Sequence, residues 1–348
     1  MAALLGECLR ARASGRLDRA RDLAEQARVP AEAADPAAVA EVLLVRGLLA
    51  QDTGDHVHAE RLFRRAEATA DGAPAQACGI RLRARTRLGS LHRARGRYPE
   101  AERILRAALA ECDTTPAPSP MDTAQVCNEL GMLYKYSGKF DLAEPLYRRA
   151  LALIEFTRGP GSDDLAATVW HNIGGLAHAR GDHRAAEAPA RKAVSLRSRA
   201  LGRSHLLVAT DRAALAPILL ELGRTEEARA LLLQALATFQ DTLGRGHYEV
   251  AVTLHNLGGT AHRRGDWQAA EGYFRQALHI KEELLGVHHP DLAATLTNLA
   301  LLCRRAGDQA GATALYERAH TILASTLQPD HPTLQAIRRG LAESPPPI

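Results

Sequence analysis

Aromatic side chains are scarce in this chain: Phe, Trp and Tyr together make up 4% of its 348 residues, whereas hydrophobic residues make up 46%. A core with so few aromatics has to be built from Ala and Leu, which predicts helices that approach each other closely. Long hydrophobic runs are also missing, since no segment approaches the roughly 20 apolar residues that a membrane-spanning helix needs. The N-terminal segment becomes charged too early for a secretory signal. These absences favour a soluble, cytoplasmic protein.

Lysine is almost absent, with only four copies among the 44 basic residues. This bias is typical of GC-rich coding and favours a bacterial source. The five cysteines lack the paired spacing of metal or redox sites, and Cys127 and Cys303 fall on the apolar stripe of predicted helices, where a thiol is normally inert. Phosphate-binding glycine loops, zinc-binding histidine pairs and nucleophile elbows are also missing. The sequence therefore predicts a protein that is not an enzyme, with no catalytic residue, no cofactor and no metal site.

A repeat dominates what is present. Eight times a glycine is followed by an alanine five residues later and by another twelve residues later, as in Gly265, Ala270 and Ala277. The glycines are separated by 39, 42, 42, 43, 42, 42 and 42 residues, and they are Gly15, Gly54, Gly96, Gly138, Gly181, Gly223, Gly265 and Gly307. A period of this length indicates stacked supersecondary units that act through a surface.

Each period predicts two helices. Apolar residues with helical spacing, such as Leu254, Leu257, Gly258 and Ala261, precede each glycine and define a first helix, the A helix. The glycine suits a left-handed turn, and a second amphipathic stretch follows it, the B helix. We expect the small residues, glycine in the A helix and two alanines in the B helix, to let the two helix backbones approach with no side chain between them.

These residues resemble tetratricopeptide repeats, and the segment GVHHPDLAATLTNLALLCRRAGD, residues 286–308, resembles the 42-residue repeats of the kinesin light chain type. The resemblance covers roughly residues 1–330. It implies an all-α fold, an α-solenoid of about eight helix–turn–helix repeats in a right-handed superhelix. It also implies a concave face, lined mainly by A helices, that holds peptide segments of partner proteins.

The resulting domain prediction is a single solenoid over residues 1–343, closed by a capping helix over 332–343 and followed by a disordered tail over 344–348. Its repeats are expected at about 1–34, 35–74, 75–114, 121–160, 162–202, 204–244, 246–286 and 288–328.

The candidate peptide-binding residues lie ten, six and three residues before each turn glycine, on the flank of the A helix next to its buried stripe. Three asparagines nine residues before the glycine, and Asn128 one residue earlier, match the asparagines with which the family holds a peptide backbone. Leu220 is a candidate apolar anchor, with packing in the core as the alternative. The full candidate set is Arg93, Asn128, Lys135, His171, Asn172, His178, Leu220, His255, Asn256, His262, Asn298 and Arg304.

Histidines recur in two patterns. His205, His247, His289 and His331 are 42 residues apart, which favours turn residues at helix ends over a shared metal site. His171 with His178 and His255 with His262 each lie on one helix face, too far apart for one ion. Protonation of these pairs near pH 6 would make the groove more basic.

The sequence thus predicts a scaffold whose groove binds an extended, acidic segment of a protein partner, with basic residues attracting its carboxylates. A ligand-sensing module that responds to a peptide or small molecule and controls a partner protein is the alternative, and self-association stays open. Nucleic acid is the minority interpretation of the arginines between residues 81 and 97, because their spacing spreads them around a helix and the net charge is only +4.

Overall fold

The structure is a computed structural model that describes residues 1–13, 15–32, 35–71, 78–115, 119–157, 159, 161–324 and 332–343. The predicted tail and His331 lie outside these residues. The described part forms two compact units, an N-terminal unit, Met1–Leu176, and a C-terminal unit, Ala177–Ile348.

The regular elements of the described residues are α-helices joined in successive hairpins, with one short 3-10 turn at Pro290–Leu292. The first nine helices are α1 (Ala2–Ala13), α2 (Leu17–Glu32), α3 (Pro36–Asp52), α4 (His56–Asp71), α5 (Cys78–Ala94), α6 (Tyr98–Thr114), α7 (Pro120–Tyr136), α8 (Phe140–Thr157) and α9 (Ser162–Ala179). The others are α10 (His183–Leu201), α11 (Leu206–Glu221), α12 (Thr225–Leu243), α13 (Tyr248–Arg263), α14 (Trp267–Leu285), α15 (Ala293–Arg305), α16 (Gln309–Ala324) and α17 (Pro332–Ala342). Odd-numbered helices up to α15 are the predicted A helices, and even-numbered ones are the B helices.

The turn glycines have the predicted conformation. All eight lie between an A helix and its B helix with φ from 71° to 85°, a region that side chains other than glycine rarely enter. Gly202, Gly244 and Gly286 end B helices, also with positive φ. The backbone thus changes direction at the positions where the sequence repeats its glycines.

The alanines of the B helices form the most completely buried layer. All sixteen of the predicted alanines are at most 1% exposed. Because they have only a methyl side chain, the neighbouring helices pack directly against the B-helix backbone, and a larger residue there would have no space.

The glycines inside the A helices have a different role from the predicted one. A Cβ added to Gly47, Gly89, Gly131 or Gly258 would lie 2.5–2.7 Å from a side chain sixteen residues later, on the B helix of the same hairpin. Those side chains are Phe63, Leu105, Tyr147 and Phe274. The expectation of backbone approach without a side chain between the helices is therefore wrong at this position, because the glycine makes room for a large side chain that fills the hairpin.

The recurring histidines are turn residues, as predicted. His205, His247 and His289 cap the next element, each accepting at Nδ1 a hydrogen bond of 3.2 Å from the backbone N–H two residues later. They therefore satisfy one of the free N–H groups at a helix start.

Candidate functional site

The A helices of the N-terminal unit line one cavity of about 260 Å³. Residues of α1, α3, α5, α7 and α9 all contribute to its wall, which we call the inner face of the N-terminal unit. One part of the wall is apolar, with Leu9, Leu44, Val45, Leu48, Met121 and Leu165, and the other is polar, with Glu41, Arg83, Thr86, Arg87, Asp122 and Gln125.

The arginines of α5 and the following turn are mostly neutralised by acids on other helices. Arg85, for example, pairs with Glu67 on α4 and with Glu111 on α6. The other pairs are Arg81 with Glu111 and Asp71, Arg83 with Glu41, Arg93 with Glu129, and Arg95 with Glu60. These pairs tie neighbouring helices together, so the basic run is not a free positive patch of the kind that binds a phosphate backbone.

Arg87 is the exception within this run. Its half-buried guanidinium has no hydrogen-bond or ion-pair partner among the described residues. Burial lowers the pKa of Arg87, and the charges that act on it are Glu129 and Asp52, which raise the pKa, and Arg12 and Arg83, which lower it.

A second cationic group lies at the C-terminal end of α7. Lys135 Nζ and the Arg93 guanidinium both lie over the ring of Tyr136, 5.0 Å and 5.4 Å from its centroid. Burial and then the charge of Arg93 lower the pKa of Lys135, and no acid pairs with its ammonium group among the described residues. Gly175 on α9 leaves space for Lys135, since a Cβ there would lie 3.2 Å from Nζ.

The predicted backbone-binding asparagines of the N-terminal unit bond each other. Asn172 Nδ2 donates to Asn128 Oδ1 over 2.8 Å, and both side chains are at most 2% exposed. In this arrangement they join α9 to α7, and a partner's backbone would have to displace that bond. His171 is half-buried on the same helix.

In the C-terminal unit the predicted site residues are mostly occupied. His255 Nδ1 lies 3.0 Å from Thr295 Oγ1, and its ring contacts Phe274 edge-on. His262 contacts Trp267 in the same way, and His178 Nδ1 lies 3.0 Å from His183 Nδ1.

Leu220 belongs to the core of the C-terminal unit. It is 8% exposed and packs in a cluster with Leu215 and Leu219. A charged residue at this position would be buried, so a charged substitution of Leu220 would change folding as well as binding. Arg304 pairs with Glu343 at 2.6 Å, whereas Asn256 and Asn298 are half-buried.

The proposed protonation of the histidine pairs near pH 6 is wrong for His255, and the pKa of His178 is also shifted downwards. Burial, followed by the charge of Lys281, lowers the pKa of His255 to about 4. Burial and then His183 lower the pKa of His178. His255 therefore stays neutral near pH 6, where an exposed histidine would begin to take up a proton.

Arg87 was not among the residues predicted from the sequence, although it occupies the same repeat position as three of the predicted asparagines. Arg87 lies nine residues before Gly96, as Asn172, Asn256 and Asn298 lie before their own turn glycines. In the sequence it stands among the other arginines of α5, and only the folded chain separates paired from unpaired ones. Two buried cations of the C-terminal unit, Arg197 and Lys281, were also missed.

Other kinds of site find no support in the described part of the chain. No group of three or more His, Cys, Asp or Glu residues there could hold a metal ion. Burial raises the pKa of the Cys127 thiol to about 12, which suppresses the reactive thiolate. Among the same residues, none of the helices combines the length and the apolar composition of a transmembrane segment.

Successive hairpins with turn glycines and a layer of alanines define an all-α repeat protein. Its sequence matches the tetratricopeptide repeat family over residues 80–155, 122–198, 165–241, 206–283 and 249–325, with a further match over 40–65. The chain therefore belongs to the tetratricopeptide repeat family. No curated protein matches it as a whole-sequence relative.

Solved structures extend this assignment. BtubC (BKLC) from P. vanneervenii is 26% identical, with a TM-score of 0.54 over 68% of this chain and 92% of that one. A putative kinesin light chain from Podospora anserina, in a form with one substitution, is 23% identical, with a TM-score of 0.51 over 60% of this chain and 98% of that one. The repeats are thus similar to those of kinesin light chain-like proteins.

Two further structures share the fold over nearly the whole chain at 14% identity. They are apo RapI, with a TM-score of 0.64 over 99% of this chain and 96% of that one, and PH0952 from Pyrococcus horikoshii, with a TM-score of 0.68 over 98% of this chain. PH0952 is a signal transduction ATPase with a tetratricopeptide repeat sensor, and the match covers 48% of it.

Proposed function

We propose that the chain is a non-catalytic protein-interaction scaffold, and that the surface around Lys135 and Arg93 in its N-terminal unit binds an extended, acidic segment of a partner. The tetratricopeptide repeat fold supports the first part, since it serves as a scaffold for proteins and peptides. The second part goes further and rests on the charges of α5 and α7.

The observation that carries the proposal is Lys135. A half-buried ammonium group without an acidic partner is unfavourable, and its lowered pKa reflects that. A carboxylate of a bound segment would supply the missing charge, and hydrogen bonds to charged groups contribute about 1.5–3 kcal/mol. The Arg93 guanidinium lies over the same Tyr136 ring and adds a second positive charge next to Lys135.

The extended form of the segment follows from the spacing of the helices. Packed helices lie about 8–10 Å apart, so a segment that contacts α5, α7 and α9 in turn has to be extended. We include the candidate residue His171 in this surface, with Asn128 and Asn172 joining it once a bound segment displaces the hydrogen bond between them. Asn256, Asn298 and Arg304 are the corresponding candidates on the C-terminal unit. The compartment is proposed to be the cytoplasm.

The test compares two lysines. Fluorescence anisotropy with matched libraries of acidic, neutral and basic peptides is measured for wild type, Lys135→Gln and Lys139→Gln. Lys139 is the control because it already pairs with Glu102 at 2.8 Å and is more exposed. We expect acidic peptides to bind, Lys135→Gln to weaken them about tenfold, and Lys139→Gln to change affinity less than about twofold.

Added salt should weaken the acidic peptides further, because screening acts on charged contacts. Equal affinity of Lys135→Gln and wild type, or equal binding of basic peptides, would reject the acidic-segment proposal. Either result would leave the assignment of the fold untouched.

A further inference from the structure

The cavity of the N-terminal unit combines one unneutralised cation with an apolar wall. Glu41 accepts two hydrogen bonds from Arg83, 2.8 Å and 3.1 Å long, so these two charges cancel. Asp122 is the remaining acid of the wall, and burial raises the pKa of its carboxyl. The charge of Arg83 and then a hydrogen bond with Ser119 lower that pKa, so the Asp122 carboxyl interacts with groups other than Arg87.

The charges around Arg87 are committed to other partners. Asp52 accepts from Arg12 over 2.5 Å and 3.0 Å. Glu129 accepts from Gln125 over 3.1 Å and from Arg93 over 3.5 Å. Each acid that acts on Arg87 thus has its own cation or donor, and the charge of Arg87 is left over.

The apolar part of the wall is built from leucines together with Val45 and Met121. Leu44, Val45 and Leu48 come from α3, and Leu9 comes from α1 with 40% of its surface exposed. Burying apolar groups against this wall is favourable by about 25 cal/mol for each Å² removed from water. The wall therefore favours a ligand with a hydrocarbon body over a purely polar anion.

The size of the cavity limits the ligand. A volume of about 260 Å³ holds roughly nine water-sized groups at about 30 Å³ each. Drug-sized ligands occupy larger pockets, of about 300–1,000 Å³.

We propose that this cavity is a binding site for a small amphipathic carboxylate, whose anionic group pairs with Arg87 and whose short hydrocarbon body packs on Leu44, Val45 and Leu48. The site is separate from the peptide contacts of Lys135 and does not depend on them. A molecule that contacts helices from five hairpins stabilises the packing of those helices. The cavity is therefore a candidate site for the ligand-sensing alternative.

The experiment uses hexanoate and octanoate as probes, with hexanamide and hexylammonium as neutral and cationic analogues. Isothermal titration calorimetry is performed on wild type, Arg87→Gln, Leu9→Trp and the matched control Arg85→Gln. Arg85 lies on the same helix but pairs with Glu67 and Glu111 and does not line the cavity. Leu9→Trp narrows the cavity from an exposed position, so it keeps Arg87 and removes no buried contact.

The proposal expects one of the two carboxylates to bind wild type and Arg85→Gln within about twofold of each other, and to bind Arg87→Gln at least about tenfold more weakly. Leu9→Trp should lose the same binding, and the amide and the ammonium analogue should bind weakly or not at all. Circular dichroism establishes that each variant is folded, and Leu9→Trp decides the question if Arg87→Gln is not.

Three results would overturn the proposal: no heat with either carboxylate at millimolar concentration, undiminished binding to Arg87→Gln, or equal binding of hexylammonium. Acidic-peptide binding by Leu9→Trp is measured alongside. If Leu9→Trp still binds the peptide but not the carboxylate, the cavity site is distinct from the peptide-binding surface. Lys135→Gln should show the opposite pattern, with carboxylate binding retained and peptide binding weakened.

Discussion

The two units place their cations in opposite positions of the same repeat. In the N-terminal unit, Arg87 and Lys135 lie on A helices, with Arg87 in the wall of the inner face, whereas the buried B-helix position at Cys112 and Ile154 is apolar. In the C-terminal unit that B-helix position recurs after 42 or 43 residues as Arg197, Phe239, Lys281 and Leu323. Two of these four are cations, and they are at most 6% exposed.

In the C-terminal unit, the predicted binding residues of the A helices are either uncharged or paired with an acid. Leu220 is core, His255 stays neutral, and Arg304 has an acidic partner. A cation between helices serves folding, since it must be satisfied internally, whereas a cation on an inner face is available to a ligand. The same repeat thus carries buried cations on B helices in the C-terminal unit and cations on A helices in the N-terminal unit. Each of the following predictions tests that difference.

Removing Asp211 should have the largest effect. Arg197 Nε donates to Asp211 over 2.7 Å, and the two side chains are 5% and 2% exposed. Asp211→Ala leaves a buried guanidinium without its carboxylate, which typically destabilises by about 3–5 kcal/mol. The corresponding change in the N-terminal unit, Glu41→Gln, should lower the free energy of unfolding by less than about 1 kcal/mol, because Arg83 is 42% exposed.

Urea unfolding measures both. Replacing Arg197 and Asp211 together by leucine should recover most of the loss, because the cost comes from the unpaired charge. A small effect of Asp211→Ala would show that the buried cation is satisfied elsewhere and would remove the contrast between the units.

The second prediction concerns acid. The pKa of His255 is about 4 in the folded chain, against 6.5 for an unperturbed histidine, and its neighbours are Lys281, Thr295 and Phe274. Between these values the unfolded chain binds a proton and the folded chain does not. Stability is therefore retained above pH 6.5 and falls as the pH decreases towards 4, by up to about 3 kcal/mol from this group.

His255→Gln cannot take up that proton, so it should show a flatter loss of stability between pH 7 and pH 4.5 in urea unfolding. An unchanged slope in the variant would assign the acid sensitivity to other groups. His178, whose pKa is also lowered, contributes to the slope that remains.

Much of this frame could be predicted from the sequence, because it depends on residues that tolerate no alternative. Turn glycines need positive φ, and the alanines Ala270 and Ala277 have no space for a larger group. The ligand face could be placed on the A helices for the same reason. Its members could not be sorted, since burial of Asn128 and the pairing of Arg85 depend on side chains from other helices.

The third prediction tests whether A-helix glycines pack against B-helix side chains in the same way in both units. Gly258→Ala places a Cβ 2.7 Å from the ring of Phe274, and Gly131→Ala places one 2.6 Å from that of Tyr147. Both should destabilise by about 1–3 kcal/mol through overpacking. Gly259→Ala is the matched control, because nothing lies within 4 Å of the added Cβ and alanine favours a helix by up to about 1 kcal/mol.

Thermal unfolding of the three variants gives the answer. Opposite signs at the neighbouring positions 258 and 259, with the same sign at 131 and 258, would establish that hairpin packing is common to the two units. If Gly131→Ala were neutral, the units would differ in their frame as well as in their charges.

The smallest effect is expected at the surface ion pairs. Glu111 joins Arg81 and Arg85 in the N-terminal unit, and Glu187 joins Arg191 and Arg224 in the C-terminal unit. Glu111→Gln and Glu187→Gln should each lower the free energy of unfolding by about 1 kcal/mol, and the loss should shrink in high salt, because these pairs are partly exposed and screened. Both losses are measured by urea unfolding at low and high salt. If Glu111→Gln and Glu187→Gln lose the same amount of stability at each salt concentration, the surface pairs do not distinguish the units. The difference then lies at the A-helix and B-helix positions described above. A markedly larger loss for Glu111→Gln would instead make the paired arginines of α5 part of what distinguishes the N-terminal unit, and Arg87 would then be one member of a coupled network in place of a lone surplus charge.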